Sequence, residues 1–299
     1  MTDQFCKNMQ LFLQQLVESQ NTALFSLCVL NFVFCPFATL GNALAIHALW
    51  KASSLPPNLR KMLLSLAFCD LAVGLFAHTT YAAVLVTSAT MNLDALCPLI
   101  LPLFFFVLFC LSWASFLNVT AITVDRFLAV SLHLSYVGLV TSKRITIILV
   151  AVWLISCVFP LVHVMKYDNY KIAATLGLIG FLFITFANVR VYMVARYHQN
   201  QIQAQFQQLN AQVTVVLLRE RKTTLTIVYT YIVFVACYLP KLCSVIADAI
   251  TGNPSVISLF ASFFVLLSSS LNPLIYYWRY RGVRQIMKEA LKNIFRLEV

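Results

Sequence analysis

The chain has 299 residues, 61% of them hydrophobic and only 10% charged, with a net charge of +11. A soluble domain is about half apolar and a quarter charged, so a soluble globular fold is excluded. The basic residues are scattered over segments between apolar stretches, which argues against nucleic-acid binding and for contact with anionic membrane lipids.

The apolar residues gather into seven stretches, roughly 22–49, 60–86, 97–124, 144–165, 172–195, 223–247 and 255–277, long enough for the ~20 residues a helix needs to cross the hydrocarbon. None shows the ~10-residue alternating segments of a membrane β-barrel. The expected fold is an all-α membrane protein with a seven-helix bundle over 22–277. An extracellular amino terminus, 1–21, precedes it, and a short amphipathic helix and cytoplasmic tail, 278–299, follow.

Met1 to Ser19 is polar and lacks a charged start and cleavage site, so the first helix is expected to direct insertion itself. Lys51, Arg60, Lys61, Lys143, Arg144, Arg196, Arg219, Arg221, Lys222 and the tail from Arg279 to Arg296 fall on one side. Only Lys7, Lys166, Lys171 and Lys241 fall on the other. The positive-inside rule then puts the amino terminus outside in a multi-pass protein of the plasma membrane.

The second stretch holds Asp70, an acidic residue at mid-span. An ionised carboxylate there needs a partner, a proton or a metal ion. Asn42, Ser115, Ser268, Ser269 and Asn272 offer oxygens and amides; a protonated Asp70 in a hydrogen-bond cluster is the alternative. The third stretch carries the apolar run Phe104 to Phe109 and ends in Asp125-Arg126, where an arginine ordinarily snorkels to the interface. Glu220, just before the sixth stretch, can pair locally with Arg219, Arg221 or Lys222. Further on come Phe234, Tyr238, Pro240 and Lys241. The seventh ends in Asn272-Pro273-Leu274-Ile275-Tyr276. Pro273 removes a backbone donor and kinks the helix. Asn272 sets an amide where no water can bind it. Such costs suggest a place built to move, although a proline kink that never moves would look the same.

In these motifs the chain resembles the rhodopsin-like (class A) G-protein-coupled receptors. Asp125-Arg126-Phe127 is similar to their D-R-Y motif, Asn272 to Tyr276 to N-P-x-x-Y, and Cys237-Tyr238-Leu239-Pro240 to C-W-x-P with Tyr238 in the tryptophan's place. The resemblance implies a receptor and not an enzyme, converting an extracellular ligand's binding into activation of a heterotrimeric G protein. It assigns Asp125, Arg126, Leu134 and Tyr136 to G-protein coupling. Arg126–Glu220 becomes a resting lock between the third and sixth helices, and Phe234, Tyr238, Pro240, Asn272, Pro273 and Tyr276 the activation switch. It implies a sodium site at Asp70, Ser115, Ser269 and Asn272, and a pair, Asn118 and Trp153, linking the third and fourth helices. The cysteine-free loop Lys166 to Lys171, and Gly180 where the fifth helix usually has proline, resemble the melanocortin, adenosine and cannabinoid branch. That loop rules out the usual bridge to the third helix; a Cys6–Cys97 bridge is left open. Asn188 replaces a tyrosine common in the family.

The family positions also bear on the ligand. Leu108 replaces the amine-binding aspartate, Leu266 the lysine that holds retinal, and Val245 the adenine-binding asparagine. Phe105, Leu108, Phe109, Ser112, Val245 and Leu266 would line an aromatic cavity, and Lys241 is either a snorkelling residue or an anion anchor. A lipid-like acid or small molecule fits this lining. The alternatives are a basic peptide met by Asp94, Asp168 and Asp248, and a receptor-like scaffold that does not signal. No cofactor is implied, and no H-E-x-x-H, C-x-x-C or Gly-rich phosphate loop occurs. A transporter or channel would show repeated halves or more broken, charged helices.

Overall fold

The computed structural model describes residues 3–89, 100–132, 136–165, 170–205, 211–251 and 256–295, with side chains described for part of them. Among the described residues the regular elements are α1 (Asp3–Lys51), α2 (Pro57–Ala72), a π-helical turn (Val73–Ala77), α3 (His78–Ala89), α4 (Ile100–Leu132), α5 (Tyr136–Leu139), α6 (Ser142–Met165), α7 (Tyr170–Gln205), α8 (Ala211–Thr251), α9 (Val256–Arg279) and α10 (Arg281–Phe295). The seven expected spans correspond to α1, α2 with α3, α4, α6, α7, α8 and α9. Six contain a described stretch long and apolar enough to cross a membrane; α6, a helix of 24 residues, occupies the remaining one.

Several helices outrun the apolar stretches. α1 starts at Asp3 and not near 22, α7 continues to Gln205, and α8 begins at Ala211. Hydropathy marks where a helix leaves the hydrocarbon and says little about where its backbone hydrogen bonds stop.

The helices pack in a closed ring. α1 lies against α2, α3, α9 and α10; α4 lies inside, against α2, α6 and α7; α7 packs on α8 and α8 on α9. The outer surface is apolar, with Phe32 81%, Trp50 71%, Ile250 80% and Leu274 62% exposed. A monomer in water does not leave such a belt uncovered, so these side chains face lipid. α10 is the amphipathic helix expected after the bundle: it buries Val283 and Met287 in a core with Leu49, Leu59 and Tyr276 and carries Arg281, Arg284, Lys288 and Lys292. A second core gathers Leu27, Val73, Tyr81, Leu101, Phe104, Leu108 and Leu266. Asn42, Asp70, Ser115 and Ser269 are buried as well.

The π turn was not expected. It follows Asp70 and brings Gly74 against α1, where an added Cβ would stand 2.5 Å from the Thr39 hydroxyl oxygen and 2.8 Å from the Thr39 backbone nitrogen. The Cys35 thiol approaches the Gly74 carbonyl at 3.4 Å. Backbone on the far side cannot yield, so Gly74→Ala should cost about 1–3 kcal/mol, as overpacked cores do. A thermal melt of purified protein should show a midpoint several degrees lower. Gly138→Ala, at a position with nothing within 4 Å, should leave it unchanged. Equal melting of both variants would refute the close approach.

Candidate functional site

The buried polar layer is built around Asp70. Its Oδ1 accepts from the Ser115 hydroxyl at 3.2 Å, and its Oδ2 from the Asn272 amide at 2.6 Å. Ser269 stands beside the same carboxylate. Asn42 donates to the Ser269 carbonyl at 2.9 Å and to Ala38 at 2.8 Å, while its own Oδ1 has no partner. Three helices, α2, α4 and α9, thus meet at one carboxylate, α1 joins them through Asn42 on the Ser269 carbonyl, and Asn272, beside Pro273, is tied directly to Asp70.

Beside this layer lies an aromatic stack. Phe234 faces Tyr238 with ring centroids 4.6 Å apart, and Phe116 sits 5.8 Å from Phe234 and 6.0 Å from Tyr238. Gly180 explains how the stack fits: a Cβ there would meet the Phe116 ring at 2.9 Å. The missing fifth-helix proline therefore leaves a notch that a large aromatic from α4 fills. The Tyr238 hydroxyl is buried near Ser115 and Ser268 without completing a hydrogen bond. Tyr276 is buried too, its hydroxyl unpartnered.

At the end of α4 remote from Lys241, Arg126 hydrogen-bonds and ion-pairs with Asp125. Asp125 is 3% exposed, and its other oxygen accepts from Tyr136 at 2.7 Å. Burial, reinforced by this bond to a carboxylate, pushes the Tyr136 phenol up to about 12, so it stays a donor throughout the physiological range. The far end of α5 is tied by Asn58 to the Val140 carbonyl and by Arg144 to the Leu139 carbonyl. The tyrosine given a role in G-protein contact is thus also a clasp on Asp125, which the sequence did not suggest. Leu134, the Glu220 side chain, Cys97 and the Cys6 side chain lie outside the described residues, so the Arg126–Glu220 lock and the Cys6–Cys97 bridge stay as expectations.

One expectation is corrected. Asn118 does not pair with Trp153: the Trp153 indole donates to Ser65 at 3.1 Å, and Asn118 donates back to Ala114 with its Oδ1 unpartnered. The indole packs on a core that α4 shares, but its donor is spent on Ser65, which ties the fourth span to the second. Asn188 reaches α4 by a 3.5 Å contact with Thr123.

At the other end, Lys241 turns across to α9. Its ammonium donates to the Ser262 hydroxyl at 2.8 Å and to the Ser258 hydroxyl at 3.2 Å. Phe105 stacks on Phe109 at 6.3 Å. Ser112 and Val245 are half-buried. Leu108 and Leu266 belong to the packed core. Among the described residues no group of three or more His, Cys, Asp and Glu side chains could hold a metal ion.

The family profile described as seven-transmembrane receptor (rhodopsin family) matches residues 41–276. Adenosine receptor A2a of Homo sapiens is 33% identical over 132 residues, 44% of this chain and 31% of that receptor. Adenosine receptor A2b of Bos taurus is 31% identical over 144 residues, 48% of this chain and 42% of the receptor. Adenosine receptor A2b of Gallus gallus is 30% identical over 149 residues, 50% and 42% of the two chains. The matches span less than half the length of these curated relatives.

Proposed function

The chain belongs to the rhodopsin family of seven-transmembrane receptors, and from that premise we propose that an acidic, mainly apolar ligand binds near Lys241 and drives a heterotrimeric G protein at Arg126. The family makes it a multi-pass membrane receptor and not an enzyme. The plasma membrane, with the amino terminus outside, is the location proposed from the distribution of Lys and Arg.

The observation that carries the ligand reading is the direction of Lys241. A snorkelling lysine would run outward along its own helix; this one crosses to Ser258 and Ser262 on α9. Two hydroxyls orient the ammonium without neutralising it, so an incoming anion would gain a charge-assisted hydrogen bond. The phenylalanines Phe105 and Phe109 would take the ligand's apolar part at about 25 cal/mol per Å² buried. Support for coupling is the clasp at Asp125, which holds Arg126 and the short helix α5 together. Of the departures that make a non-signalling scaffold credible, Tyr238, Gly180 and Asn188, the last two are filled or bonded by α4, which favours a working switch.

The polar layer is proposed to take a sodium ion. Asp70, the hydroxyls of Ser115 and Ser269 and the unpartnered Asn42 Oδ1 are the hard oxygen donors such an ion needs, with Asn272 alongside. A bound sodium ion would supply the counter-charge that Asp70 lacks.

Long-chain carboxylic acids screened by nucleotide exchange on receptor-bearing membranes test the coupling and the ligand together. Lys241→Ala should weaken an active acid on the order of tenfold or more, the value of a hydrogen bond to a charge. Arg126→Ala should abolish exchange while binding persists. An active acid indifferent to Lys241→Ala would overturn the ligand reading; exchange surviving Arg126→Ala would overturn the coupling.

A further inference from the structure

Lys241 has a second charge on its own helix that no contact explains. Asp248 lies seven residues on, two turns of α8, and therefore on nearly the same face. It is 8% exposed, and its Oδ1 has no hydrogen-bond partner. The two-turn spacing sets it along the same side of α8 as Lys241, yet among the described residues it forms no ion pair with Lys241 or with any other cation. The Lys241 ammonium, for its part, has only neutral partners, on Ser258 and Ser262.

Asp248 is largely withdrawn from water and Lys241 half-buried, and among the described residues neither touches a counter-ion, which is a costly arrangement. Burying one charge without a partner costs several kcal/mol. Moving the two side chains together would relieve that cost, but the hydroxyls of Ser258 and Ser262 hold the ammonium toward α9. The arrangement is complementary to a single molecule bearing both signs.

We infer that the site formed by Lys241, Ser258, Ser262 and Asp248 recognises a zwitterion: a carboxylate or phosphate at Lys241 and, on the same molecule, an ammonium at Asp248. This rests on the ligand reading above and narrows it from an acid to an amino acid-like amphiphile. The anion accepts from Lys241 and the cation donates to the Asp248 Oδ1, so both charges are satisfied in one event. Discrimination follows, because an acid alone leaves Asp248 unpaired and an amine alone leaves Lys241 unpaired.

Three matched probes test this: dodecanoic acid, dodecylamine and 12-aminododecanoic acid, with shorter ω-amino acids to find the spacing. Thermal stabilisation of purified receptor reads binding independently of signalling. An ω-amino acid of the right length should bind at least tenfold more tightly than the acid or amine of equal length. Asp248→Asn should reduce it to the level of the acid, Lys241→Gln to the level of the amine. The exchanged pair, Lys241→Glu with Asp248→Lys, should retain the ω-amino acid in reversed orientation if it melts as the parent does. Equal binding of acid and ω-amino acid, with Asp248→Asn silent, overturns the zwitterion while leaving the acid reading intact. Amine binding that depends on Asp248 but not on Lys241, or stabilisation by none of the probes, overturns both.

Discussion

Replacing Asp70 with asparagine should remove the dependence of ligand affinity on sodium. In the structure the Asp70 carboxylate is occupied by two donors, Ser115 and Asn272. A sodium ion at Asp70 would compete with the Asn272 amide for the same oxygens, so the proposed site gives one state with the amide on Asp70 and another in which it shifts to make room for the ion. Asn272 adjoins Pro273 on α9, and its position is thereby coupled to the bend of that helix. A ligand that favours one state must then bind more weakly when sodium favours the other, by linkage. The expected coupling in the parent protein is on the order of tenfold, about 1.4 kcal/mol. It is read as the ratio of ligand affinities in sodium and in a large organic cation at matched ionic strength. The ratio should collapse to one in Asp70→Asn, which keeps the shape and removes the charge. A parent ratio of one, or an Asp70→Asn ratio equal to the parent's, would eliminate the sodium proposal.

The same layer shows what the sequence could disclose. Asp70, Ser115 and Asn272 stood out because a carboxylate and an amide are costly in hydrocarbon, and the structure joins all three. The spans stood out for the same reason in reverse: apolar residues are free to face lipid, as Phe32 and Leu274 do. What stayed hidden depends on the rotation of one helix against its neighbour. Trp153 points to Ser65 rather than to Asn118 because of how α6 is turned, and periodicity does not fix that angle. Phe116 and Gly180 are 64 positions apart, and only their contact at 2.9 Å reveals that one fills the other's notch. The π turn at Val73–Ala77 is set by how closely Gly74 meets Thr39, a packing constraint with no local signature beyond the glycine. Lys241 has no direction in the sequence, because a lysine near a span end reads alike whether it reaches for water or for another helix. Its direction required the positions of Ser258 and Ser262.

The clasp at Asp125 carries the last expected result. Asp125 holds Arg126 through its Oδ2 and the α5 helix through the Tyr136 hydroxyl on its Oδ1. It is almost wholly buried, so the charge of Arg126 is balanced here at the end of α4. Asp125→Asn keeps the side-chain volume and an oxygen for Tyr136 but removes the counter-charge, leaving Arg126 free to seek another partner. If that freed arginine is what the G protein engages, ligand-free exchange should rise. A shift of ~1.4 kcal/mol raises a rare active state about tenfold, and hydrogen bonds to charged groups are worth about that or more. Glu220→Ala should act in the same direction if Glu220 is the second restraint on Arg126. Tyr136→Phe, which leaves the ion pair in place, should change ligand-free exchange far less than Asp125→Asn. Basal nucleotide exchange at equal receptor density separates the cases. A rise in Asp125→Asn with none in Glu220→Ala would place the restraint at the end of α4 alone. No rise in either would mean that Arg126 is not the restrained element, and the coupling proposal would lose its switch.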